Sequence, residues 1–151
     1  MDRGIIIARS NSIPDTHGRL RTVTIADPPV NANWAIIVPT HTRWYLHSVR
    51  YSIDQPSDSI QPQTSLQLRT GATTLWIIPA SAPFFESPEH YHWTTGGPDR
   101  STYAPANHNS ALPRHCLLVY PAILQSITKP DILYPWQISN IAVTVEQWID
   151  G

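Results

Sequence analysis

Arg43-Trp44-Tyr45-Leu46-His47-Ser48-Val49-Arg50-Tyr51-Ser52-Ile53-Asp54 carries the period-2 signature of a β-strand. Tyr45, His47, Val49, Tyr51 and Ile53 fall on one face, and Leu46, Ser48, Arg50 and Ser52 give a mostly polar face opposite. A second such stretch lies at 141–149, where Ile141, Val143, Val145 and Ile149 alternate with Ala142, Thr144, Glu146 and Trp148. Its β-branched residues mark it as a core strand, whose loss should unfold the protein. Between the two, Ser65–Arg69 and Thr73–Ile78 flank Gly71-Ala72 and read as a β-hairpin.

Shorter strands are expected at Leu20–Ala26, Trp34–Val38, His90–Thr94, Leu117–Tyr120 and Ile123–Thr128. Fifteen prolines and a single lysine among 151 residues argue against long surface helices, whose exposed faces are normally rich in Lys and Glu. The expected fold is therefore all-β, an antiparallel β-sandwich of jelly-roll type that buries the apolar sides of about eight strands between two sheets. Residues 1–20, broken by Gly4, Pro14 and Gly18, read as an extended N-terminal arm, and 21–151 as a single sandwich domain. The stretch 79–113 reads as one long loop region holding one strand, and loops of that length usually serve function or contact a partner.

Charged residues make up only 14% of the chain, below the quarter usual for soluble domains, so part of the surface is expected to be covered. The net charge of −1, with Arg and Asp scattered along the sequence, leaves no electrostatic footprint for nucleic acid. The early apolar run Ile5-Ile6-Ile7-Ala8 is too short for a membrane span or a signal-peptide core. The expectation is a protein made without a secretion address and without a membrane partner. The lone Cys116, set in the run Cys116-Leu117-Leu118-Val119, reads as a buried, inert thiol.

No complete catalytic constellation is present. The sequence has no G-x-S-x-G elbow, and its paired carboxylates lie in Pro- and Ser-rich loops where turn and capping roles are the common ones. Gly96-Gly97-Pro98-Asp99 lacks the Lys-Ser/Thr that a phosphate loop requires and reads as a turn. His90 and His92 point the same way on one strand and are the candidate metal ligands, with His108 or His115 as a third and Glu86 or Glu89 as a carboxylate. The position after His92 where a cupin-like site wants a carboxylate carries none, so surface histidines and no bound metal or cofactor are the reading preferred here.

Six tryptophans, at 34, 44, 76, 93, 136 and 148, supply more aromatic area than a chain of this size hides completely. Core packing accounts for about two thirds of them, tryptophan being highly buried on average. Trp44, Trp93 and Trp148, with Arg43, are the candidate interface residues, because aromatics beside arginine are enriched where proteins meet.

The strings 38–51, Gly71-Ala72-Thr73-Thr74-Leu75-Trp76 and Val143-Thr144-Val145-Glu146-Gln147-Trp148-Ile149-Asp150 resemble small β-sandwich virion proteins of tailed bacteriophages, of the capsid cement or decoration type found in cyanophages among others. The likeness spans residues 34–150 and rests on strand-packing patterns without chemistry. It implies a non-enzymatic protein of the capsid surface, assembled in the host cytoplasm as a homo-oligomer, a trimer by preference. Such a protein bridges neighbouring major capsid proteins and stabilises the shell. Pro130, Asp131 and Pro135 stand where that pattern has a Gly-containing turn. The alternative is a tail, head-fibre or carbohydrate/receptor-binding sandwich whose tryptophans stack on sugar rings while Asn107 and His108 fix hydroxyl groups. A third reading is a cupin-like metalloprotein.

Overall fold

The computed structural model describes residues 18–54, 63–80, 89–95, 107–128 and 135–150. They form ten strands: β1 (Arg19–Ile25), β2 (Ala35–Ile37), β3 (Thr42–Asp54), β4 (Thr64–Thr70), β5 (Thr73–Pro79), β6 (Glu89–Thr94), β7 (Asn107–Ala111), β8 (Leu117–Val119), β9 (Ile123–Thr128) and β10 (Gln137–Ile149). Six make one sheet in the order β1-β10-β3-β6-β7, with β8 also paired to β3, and four make a second in the order β2-β9-β4-β5. The chain is thus an all-β sandwich.

The side chains between the sheets explain why they pack. β3 and β10 send in Leu46, Val49, Tyr51, Ile53, Ile138, Val143 and Val145, which meet Leu66, Leu68 and Leu124 of the smaller sheet in one apolar core. Aromatic rings fill its centre: Tyr51 stacks on Trp93 at 5.3 Å between centroids and meets Trp34 edge-on at 5.8 Å. The polar groups in this layer are bonded across it, Tyr51 to Thr64 and Thr64 to Thr128 at 3.0 Å. At one end Asn33 Oδ1 accepts from Ser126 Oγ at 3.0 Å and from the Thr128 amide at 2.9 Å, tying the segment before β2 to β9.

The hairpin forms where Gly71 predicts it, with Gly71 in the left-handed region at φ 58°. Four expectations change. The faces of β3 are not those of strict alternation: Trp44 and Leu46 are buried, and then Val49, Tyr51 and Ile53. The pairing with β10 slips between Thr144 and Val145, which oppose Ser48 and Leu46, so His47 is an extra residue that resets the alternation. Ile149 lies beyond the core at 59% exposed. The described parts of the stretch 79–113 include two strands, β6 and β7, paired in parallel, whereas the other described pairings are antiparallel. The arm boundary also moves, since Arg19 and Leu20 already belong to β1; residues 1–17 lie outside the described part.

Candidate functional site

The face of the six-stranded sheet turned away from the core is where side chains from distant parts of the sequence converge. Cross-strand neighbours in a sheet stand side by side, so the register defines rows. At one end Trp148, Arg43 and Val119 form a row across β10, β3 and β8. The next row is Leu20, Glu146, Tyr45 and Leu117, on β1, β10, β3 and β8. This end is apolar and aromatic: Leu20 is 72% exposed, Leu117 50%, Val119 47% and the adjoining Tyr120 52%. Tyr45 holds it together, meeting Trp148 edge-on at 6.1 Å and hydrogen-bonding His115 Nδ1 at 2.8 Å. Arg43 lies 6.0 Å over the Trp148 ring and pairs through Nε with Asp150 at 3.0 Å.

Beyond the His47 bulge the same strands present a polar surface. Thr24, Ala142, Arg50, His92 and Asn109 line up across β1, β10, β3, β6 and β7, with Ser139, Ser52 and His90 in the row below. A second irregularity separates these rows, because Asn140 and Ile141 of β10 interrupt its pairing with β3 between Ser139 and Ala142. Asn140 takes a left-handed φ of 54°, which asparagine tolerates better than most residues. Over this bulge the surface sinks into a groove of about 800 Å³, with Asp27, Arg50, His90, His92, Asn109 and Asn140 among its lining residues. Ser52 Oγ bonds His90 Nδ1 at 2.7 Å and so orients that imidazole.

His90 and His92 share the outer face, as their spacing requires, but Glu89 and His115, the other candidate ligands among the described residues, do not join them. Glu89 points into the core at 1% exposed, where Oε2 accepts a hydrogen bond from Tyr91 at 2.7 Å. His115 sits with Tyr45 at the aromatic end. Glu86 and the side chain of His108 lie outside the described part. Among the described residues no group of three or more His, Cys, Asp or Glu side chains comes together to hold a metal ion.

Of the candidate interface residues, Arg43 and Trp148 stand at the surface, whereas Trp44 and Trp93 do not: they are 2% and 0% exposed. Trp44 turns inward because of the His47 bulge, and its Nε1 donates to Gln147 Oε1 at 2.9 Å. Trp93 lies on the opposite face of β6 from His92. Four of the six tryptophans are buried, Trp34 and Trp136 being the others. Cys116 is buried as well, and desolvation raises its pKa, so the thiolate is disfavoured.

The residues that single-strand reading missed are Tyr45, Leu117 and Val119 at one end and Arg50, Ser52, Asn109 and Asn140 at the other. The alternation in 43–54 already placed Arg50 and Ser52 on the outer face; their neighbours on β6, β7 and β10 come only from the register. Comparison with family models, curated proteins and solved structures finds no match to this chain.

Proposed function

We propose that this is a non-catalytic binding sandwich whose aromatic end seats copies of the chain against one another. The observation that carries the reading is the pair of rows in which Trp148, Arg43 and Val119 adjoin Leu20, Tyr45 and Leu117. Exposed apolar residues gathered in one patch, with an arginine stacked on a tryptophan, have the composition of interface centres. Edge-on rings and the Tyr45–His115 bond hold the patch in shape, so little entropy is lost when it is covered. The narrower form of the proposal follows the likeness to phage decoration proteins: a virion structural protein, a trimer by preference, that binds neighbouring major capsid proteins by many identical contacts multiplied through symmetry.

Native mass spectrometry tests the first part. The expected spectrum shows an oligomer that becomes a folded monomer when Leu117 and Val119 are both replaced by Asp. A wild-type monomer at every concentration, or an oligomer indifferent to both charges, refutes it. Co-sedimentation of the oligomer with assembled phage capsids, absent for the double variant, tests the narrower role.

A further inference from the structure

The groove at the other end of the same face is independent of that reading and has a chemistry of its own. Arg50 stands exposed in the middle of the row Thr24, Ala142, Arg50, His92, Asn109. The Arg43–Asp150 ion pair and the His47–Glu146 contact both lie outside the groove, and no described hydrogen bond engages the Arg50 guanidinium. Its neighbour in the row on β10, Ala142, is small and only 6% exposed, so it forms a floor that leaves open space beside the guanidinium. On the other side the hydrogen bond between Ser52 Oγ and Nδ1 fixes the His90 imidazole in the lining of the groove. The bulge at Asn140 and Ile141 brings a further amide to the wall.

We propose that this groove binds a carboxylate-bearing sugar of one or two rings. The planar guanidinium fork matches a carboxylate with two parallel hydrogen bonds. Arg50 is the one arginine among the lining residues and Asp27 is among them too, so the groove suits one negative charge better than the two of a phosphate or a dicarboxylate. Asn140, Ser52 and His90 add polar side chains along the walls, the kind of groups that several hydroxyls on a ring require. A volume of about 800 Å³ lies within the range of small-molecule sites. Because Arg50 and Ala142 sit on adjacent inner strands, β3 and β10, the carboxylate end is held by the sheet and not by a loop.

The test is calorimetric titration of the full chain with glucuronate, glucose and inorganic phosphate. Glucuronate is expected to bind saturably, glucose and phosphate at least about tenfold more weakly, as expected when a charged bidentate hydrogen bond is lost. R50Q and A142L should each weaken glucuronate by a similar factor, while R69Q, on β4 of the smaller sheet, leaves it unchanged. R50K, which keeps the charge without the fork, should fall between wild type and R50Q. Undetectable glucuronate binding, equal binding of glucose or phosphate, or an affinity indifferent to both R50Q and A142L in variants with wild-type circular dichroism, overturns the proposal.

Discussion

The two ends of the outer face are built on the same strands, β10 and β3, yet one is aromatic and the other a polar groove. Before His47 the outward residues of β3 are Arg43 and Tyr45; after it they are Ser48, Arg50 and Ser52. The inward set changes in step, from Trp44 and Leu46 to Val49, Tyr51 and Ile53. One inserted residue therefore lets a single strand keep both segments amphipathic although their alternation is out of phase. A surface can be divided into two chemistries at a bulge without any break in the sheet.

The sharpest way to break that comparison is to delete His47 and Ser48 together, which leaves Leu46 adjacent to Val49, where the paired β10 residues Val145 and Val143 stand two apart. Strict alternation would then turn either Trp44 and Leu46 or Val49, Tyr51 and Ile53 outward. The expected loss exceeds about 5 kcal/mol, enough to abolish cooperative urea unfolding followed by circular dichroism. A deletion variant that unfolds cooperatively near the wild-type midpoint would show that the bulge does not separate the two ends.

The next effect separates core from surface. W93A, under the groove end, should cost about 3–5 kcal/mol by chemical denaturation. W148A, at the half-buried aromatic end, should cost much less and act on self-association instead. Equal costs would erase the distinction between the tryptophans.

The core beneath the groove should also be alkali-sensitive. Tyr51 and Tyr91 have pKa values raised above the usual 10.0, first by burial, and for Tyr91 further by its hydrogen bond to Glu89 and that carboxylate's charge. With the folded value raised, their contribution is fully present below the unfolded pKa and is lost as pH climbs toward the folded one. Stability should hold to about pH 10 and then fall by up to about 1.4 kcal/mol per pH unit for each tyrosine. Y51F should flatten the slope of a urea-midpoint series; an unchanged slope would remove Tyr51 from the account.

Smaller effects concern each end separately. Asn140 at φ 54° predicts that N140V costs about 1–2 kcal/mol while N140G is nearly neutral, since a β-branched side chain is strained in the left-handed region. At the aromatic end the Arg43–Asp150 pair joins side chains 42% and 47% exposed, and R43Q should change stability by less than about 1 kcal/mol, a difference that salt erases.

The elements with strong local physics were legible in the sequence. Period-2 runs of β-branched and aromatic residues located β3 and β10, and Gly71 marked the β4–β5 turn because few other residues enter a left-handed conformation without strain. β7 was missed because Asn107-His108-Asn109-Ser110-Ala111 has no apolar alternation; it becomes a strand by pairing with β6. The His47 bulge was hidden because neither glycine nor asparagine marks it, and the slip exists only relative to β10. For the same reason the alternation told that Arg50 faces outward, whereas its place in a groove depends on Ala142, His92 and Asn109 from three other strands. Two of the tryptophans chosen for the surface fell inside, since large aromatics fill cores as readily as they fill interfaces.

The position of β10 between β1 and β3 has a consequence for synthesis. Nine of the described strands leave the ribosome before the one that joins β1 to β3, so β1 must wait with its backbone groups bonded to water or to a chaperone. The smaller sheet faces no such delay, because β2, β4, β5 and β9 all precede β10 and pair only with one another. The nascent chain can thus complete one layer of the sandwich early, and the emergence of β10 is the event that closes the other.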